Sequence, residues 1–164
     1  MVAYLKRMPA GIAGDVNRAQ QVVIRPEVIT PSNGTNPPVS YGVALVIDAT
    51  TGQVRLPFTG DTAINGFLAR PYVTNSTTNG LGVDSPPSSG ACDMMMRGFM
   101  SVKLAGSTAA INGGQVYVYI AASSGAHVQG GVEAASGANL ISIPGCLFSG
   151  AADANGFTEI SYLP

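Results

Sequence analysis

Asn-Gly pairs punctuate the chain at Asn33, Asn65, Asn79, Asn112 and Asn155. Both residues of such a pair tolerate positive φ, so each is a short-range signal for a tight turn or a β-hairpin. Between the pairs lie short runs of Val, Ile, Leu, Tyr and Phe, broken by turn residues about every 8–12 positions, the spacing of a β-sandwich, jelly roll or barrel. No window sustains a helical period, and Thr62 to Leu68 has room for one helical turn at most. The pattern predicts an all-β fold: a single-domain antiparallel β-barrel or jelly-roll-like sandwich over residues 21–164, preceded by an irregular N-terminal arm over residues 1–20.

Along the chain, Gln21 to Thr30 is rich in β-branched residues, but Pro26 interrupts it and predicts an edge strand or a bend. Tyr41 to Ile47 is nearly continuous in apolar residues and predicts a buried strand, joined by an Asp48–Gly52 turn to a second strand over Gln53–Phe58. Gly60 to Tyr72 predicts a central strand region in which Pro71 forces Arg70 into an extended conformation. Asn75 to Gly90 reads as a long loop. In the strand predicted over Met94–Leu104, alternation places Met95, Arg97, Phe99, Ser101 and Lys103 on one face, and Met94, Met96, Gly98, Met100, Val102 and Leu104 on the core face. Gln115 to Ala121 directs Val116, Val118 and Ile120 one way and Tyr117 and Tyr119 the other. Shorter strands are predicted at Val128–Ala134, Leu140–Pro144, Cys146–Ser149 and Phe157–Tyr162.

A chain of 164 residues suits one core. Charged residues are 10% of it, against about 25% in an average soluble domain. A surface poor in charge costs little to desolvate, which favours lasting protein contacts and an assembly subunit; a secreted β domain rich in Ser, Thr and Asn is the other reading. The net charge is −1 and no basic cluster exists beyond Lys6-Arg7, so nucleic acid is not an expected partner. The longest apolar run, Val43 to Ile47, falls far short of the ~20 residues of a membrane-spanning helix. Met1 to Gly14 lacks the apolar core of a secretory signal, so synthesis in the cytoplasm is expected, with Cys92 and Cys146 as free thiols.

Catalytic and metal chemistry lack their parts. His127 is the one histidine and lies among glycines in a predicted turn, so neither a catalytic triad nor a zinc site has its ligands. Asp48, Asp61, Asp84 and Asp153 stand at turns, where carboxylates cap local N–H groups. Asp61 and Asp93 are expected to pair with Arg70 and Arg97. Asp153-Ala154-Asn155-Gly156 is a fragment of a calcium loop, and the glycine pairs open no helix. No enzyme activity, cofactor or metal is expected. The candidates that remain are partner contacts: Arg70 and Tyr72 in the central stretch, an outward Met95 beside Phe99, and Tyr117 with Tyr119 on the face opposite the valines. The arm adds Met1, Tyr4, Lys6, Arg7 and Ile12; extended, twenty residues reach roughly 65 Å, enough to touch a neighbouring subunit, although the arm could equally lie along its own domain.

Three segments in order, Gly60-Asp61-Thr62 through Gly66-Phe67-Leu68-Ala69-Arg70-Pro71-Tyr72, then Arg97-Gly98-Phe99-Met100-Ser101-Val102, then Gly113-Gly114-Gln115-Val116-Tyr117-Val118, resemble the structural cement, or head decoration, proteins of tailed bacteriophages. The opening Pro9 to Val16 and the closing Pro144-Gly145-Cys146 to Glu159-Ile160 are similar to the same family. The resemblance implies a β-barrel or jelly-roll-like subunit that forms a homo-oligomer; a two-fold clasp and a three-fold cap are both feasible, with the dimer slightly favoured over the trimer. It would sit on the outer surface of the virion, bind HK97-like major capsid proteins and stabilise their contacts without catalysis. A phage or bacterial carbohydrate-binding β module is the alternative, against which stands the lack of tryptophan for a sugar-stacking platform.

Overall fold

The computed structural model describes residues 11–18, 21–30, 36–71 and 86–164. Ten strands make up its regular structure: β1 (Val16–Asn17), β2 (Val23–Ile29), β3 (Ala44–Ile47), β4 (Val54–Arg55), β5 (Gly66–Ala69), β6 (Gly90–Lys103), β7 (Gln115–Tyr119), β8 (Val132–Glu133), β9 (Leu140–Phe148) and β10 (Phe157–Tyr162). They follow the order β2-β4-β3-β5-β6-β10-β9-β7-β8. A further pairing of β2 with β6 closes the first five into a small barrel. The remaining strands fan out from the far half of β6, and a bridge between Leu104 and Val132 brings β8 back to the end of that strand.

β6 is 14 residues long, and both of its edges are used twice. On one edge it pairs with β2 over Gly90–Arg97 and with β1 at Phe99 and Met100; on the other it pairs with β5 over Asp93–Met95 and with β10 over Gly98–Lys103. Strict alternation fails midway. Val23 pairs with Arg97 but Ile24 with Met95, which leaves Met96 as an extra residue, a β-bulge that reverses the facing of everything after it. Met95, Met100 and Val102 therefore enter the same core, and Met95, expected to face outward, is fully buried. The same reversal sends Asp93 and Arg97 to opposite faces, so the expected ion pair between them does not form.

Two cores result. The smaller fills the barrel with Ile29, Tyr41, Val43, Leu45, Val54, Leu56, Leu68 and Met94. The larger lies between the barrel wall and the second sheet and gathers Ala44, Val46, Phe67, Ala69 and Met95 with Val116, Val118, Ile143, Cys146, Phe148 and Ile160. The segment β3-β5-β6 is thus buried on both faces, which is why Val43–Val46 and Phe67–Ala69 are continuous in apolar residues. Each fully buried large side chain contributes about 1.5–3 kcal/mol relative to exposure. Gly66 opens β5 rather than closing a turn: a Cβ there would lie 2.5 Å from the Met95 carbonyl, and Asn65 Oδ1 accepts the Ile47 N–H at 2.8 Å.

The predicted hairpin forms, with β3 and β4 antiparallel around Asp48–Gly52. Pro26 sits inside β2, which pairs along β6 yet touches β4 only at Ile29. The loop after β4 is held by charge. Arg55, buried at 6% exposure, forms a two-pronged pair with Asp61 at 2.7 and 2.9 Å, reaches Asp48 at 3.3 Å, and lies over the Phe58 ring at 4.2 Å. Asp61 thus pairs with Arg55 and not with Arg70, because the turn at Gly60 folds it back onto β4.

Thr50 and Thr51 N–H groups, with Arg55, hold the Asp48 carboxyl below its ordinary range. Burial acts to raise Asp61, but the Arg55 bonds and the Phe58 N–H outweigh it and lower that pKa as well. Depressed carboxylate pKa values stabilise the fold above the unfolded value near 3.9, and that contribution is lost as pH falls through the native values. Denaturant midpoints should drop below about pH 4, and Arg55→Ala should lower the midpoint at pH 7 by leaving the Asp61 carboxylate without its partner, while reducing the part of the acid dependence that Asp61 carries. At the bulge, Gly98 has φ +136°, and a Cβ would lie 2.6 Å from Val22 Cγ2. Gly98→Ala should lower stability by about 1–3 kcal/mol, measured by chemical denaturation, without changing the far-ultraviolet spectrum of the folded state.

Candidate functional site

Residues 11–18, the described part of the predicted arm, are stitched to the body. The Gly14 N–H donates to the Ser101 carbonyl at 2.8 Å, Arg70 N–H to the Gly14 carbonyl at 2.8 Å, and Ser101 N–H to the Asp15 carbonyl at 2.9 Å. Ala13 is fully buried. Asn17 Nδ2 donates to Ser101 Oγ at 3.1 Å and Glu159 Oε2 at 2.9 Å, while Arg18 pairs with Glu159 at 3.0 Å and covers the Phe99 ring at 4.2 Å. Arg70 lies over the Tyr41 ring at 4.6 Å, with Asp15 Oδ1 at 3.7 Å and the Ala13 carbonyl at 3.3 Å. Arg70 is therefore the inner anchor of this clasp, and only Ile12 projects from it as an exposed apolar group.

Beyond the clasp, β10, β9 and β7 turn one face to the larger core and the other outward. Register places Phe99, Ser161, Leu147 and Gln115 in one row across that outer face, with Tyr117 beside Ser142 two residues further along β7. Leu147 and Leu163 are 41% and 43% exposed, and Ile111, whose carbonyl accepts the Gly114 N–H at the entry to β7, is 68% exposed. From Gln115 and Tyr117 through Leu147 to Ser161 and Leu163 this face carries no charge. Glu159 and Arg18 mark its edge and neutralise each other.

The expected contact residues are divided by this geometry. Phe99 and Tyr117 do share the outer face, but Phe99 is nearly buried because Arg18 and the clasp lie over it. Tyr119 is buried at 8% exposure, its ring stacked on His127 at 4.9 Å, and His127 Nδ1 meets the buried Glu133 Oε1 at 2.7 Å. Met95 faces the core. Met1, Tyr4, Lys6, Arg7 and Tyr72 lie outside the described residues, as do the Asn33 and Asn79 turns and most of the Asn75–Gly90 loop. Leu147 and Leu163 were not anticipated. The signal was present in Pro144-Gly145, since Gly145, at φ +70°, shifts the β7–β9 register and puts Ile143 and Cys146 on one face and Leu147 on the other.

Among the described residues no cluster of three or more His, Cys, Asp or Glu could hold a metal ion, and burial pushes the Cys92 thiol up to about 11, away from nucleophilic chemistry. The arrangement can bind surfaces. Gly14 has φ +83°, and a Cβ there would lie 2.4 Å from Tyr41 Cβ. Gly14→Ala should lower the melting temperature and make residues 11–18 a new site of limited proteolysis.

A family model described as the XM1 gp53 minor capsid protein matches residues 1–162. Among solved structures, a chain from the capsid of Myoviridae phage XM1 is similar to this one with a TM-score of 0.70 and 20% identity, over 98% of this chain and 97% of that one. At that identity the likeness is one of fold. No curated protein matches.

Proposed function

The chain belongs to the family of the XM1 gp53 minor capsid protein, a structural component of the virion that associates with other capsid proteins, and from that premise we propose that it is a cement protein bound to the outside of the assembled head. The observation that carries this reading is the outer face of β10-β9-β7, uncharged from Gln115 and Tyr117 to Ser161, with Leu147 and Leu163 exposed on it and Glu159 at its edge neutralised by Arg18. Burying such a face in a contact removes apolar area from water with no ion to desolvate. The partner is an HK97-like major capsid protein, and residues 1–10, with Met1, Tyr4, Lys6 and Arg7, together with Ile12 and Tyr72, touch a neighbouring subunit. Copies of this chain associate, as a two-fold pair.

The mechanism is mass action. A subunit that binds the completed shell and not its separated parts stabilises the shell by RT ln(1 + [L]/Kd) per site, and the contributions sum over the many equivalent sites of an icosahedral head. Contacting two capsid subunits at once raises the effective concentration for the second contact.

Purified protein mixed with expanded, undecorated heads should add regular density to their outer surface on imaging; heads that stay bare argue against cementing. Leu147→Asp, which places a charge in the contact, should reduce decoration at least tenfold with an unchanged melting temperature. Deletion of residues 1–10 should also weaken decoration. The cut must stop there, because Ala13 and Gly14 are part of the fold.

A further inference from the structure

A cleft of about 400 Å³ opens where the segment leading into β3, the end of β6, and the chain around β8 meet. Its walls are Val39, Tyr41, Leu104, Val128 and Val132, and Lys103 is the one charged residue that lines it. The walls are fixed by backbone bonds that also consume their polar groups: Ala105 N–H to the Val132 carbonyl at 2.8 Å, Gly106 N–H to the Ala126 carbonyl at 2.9 Å, Gly131 N–H to the Val128 carbonyl at 2.7 Å. Val39 stands at 66% exposure beside the opening. The neighbouring carboxylate, Glu133, is buried and taken up by His127 at 2.7 Å. Lys103 is exposed, and among the described residues its ammonium has no ion-pair partner.

We propose that this cleft is an anchor pocket for a protein partner, receiving one large apolar side chain from a surface segment of a capsid protein, with a carboxylate next to that side chain meeting Lys103. The volume lies near the lower end of the ~300–1,000 Å³ of small-ligand sites, room for one side chain and the flanking chain. Such sites usually hold a few convergent polar groups that orient a small polar ligand; here the Ala105, Gly106 and Gly131 N–H groups are spent within the fold, so what the cleft offers is mainly apolar area, with Ser40 and a single cation beside it. That combination fits an anchor residue, the form in which a few buried side chains carry most of an interface's energy. The charge complement steers and orients it. The inference rests on the reading of the chain as a capsid-binding protein and names a contact separate from the β10-β9-β7 face.

The test uses the full chain, isotopically labelled, with N-acetyl-phenylalaninate as the probe and its neutral amide as the comparison. Amide shifts should concentrate at Tyr41, Leu104 and Val132, with the carboxylate form bound about two- to fivefold tighter, the worth of one exposed ion pair. Lys103→Gln should remove that preference and leave apolar binding intact. Ala126→Phe, at an exposed position of the rim, should block the probe; Lys103→Glu, which reverses the preference, serves if that variant does not fold. Shifts elsewhere, or equal binding of both forms, would overturn the proposal. On heads, undiminished decoration by Ala126→Phe beside normal decoration by the unaltered chain would discard the cleft and keep the capsid reading, whereas bare heads with the unaltered chain would discard the capsid reading itself.

Discussion

The structure depends on one strand serving two sheets. β6 forms the last wall of the small barrel with its first half and the root of the second sheet with its second half. A regular strand could not do this. With period-two alternation, the residues that face the larger core beside Phe67 would face away from it by the time they reached β10. The bulge at Met96 inserts the one residue that restores the facing, so Met95 and Met100 pack into the same apolar volume. Gly98 then allows the close approach of Val22 at the point where β2 gives way to β1.

Charge is sparse in this chain, and most of what the described residues hold is spent internally. Arg55 satisfies Asp48 and Asp61, Arg70 answers Asp15, Arg18 answers Glu159, and Glu133 is matched by His127. Each pair fastens a loop or the N-terminal clasp to a strand, where the geometry is too irregular for ladder bonds to suffice. The consequence appears outside: broad faces such as that of β10-β9-β7 are left neutral. A minor capsid protein gains from such faces in its contacts with other capsid proteins, since contact there displaces water without stranding ions.

The all-β class, the hairpin of β3 and β4, the strand Phe157–Tyr162 and the inward valines of β7 were legible because each is set by local pattern: turn chemistry at Asp48–Gly52 and Asn155-Gly156, and alternation over a few residues. Of the candidate site, Tyr117 and Phe99 were legible as outward positions on one face. Leu147 was not, because its facing depends on the bulge at Gly145, and a bulge carries no periodic signal of its own; nor was Leu163, which lies just past the predicted Phe157–Tyr162 strand and faces outward by alternation with the buried Tyr162.

Sequence by itself determined the class of fold, the turn positions and the charge-poor surface, since these follow from residue type and near neighbours. Tertiary structure alone decided which turn-like pair was a turn, which carboxylate met which arginine, and which apolar residues remained outside. Asn65-Gly66 has the composition of a hairpin turn, yet its glycine serves the close packing of β5 on β6. Asp61 had Arg70 on its own central stretch but joined Arg55, and Met95 turned inward, because contacts distant in sequence are fixed by strand register. Register is set by the packing of whole sheets, an energy summed over both cores, and no local stretch of chain contains it.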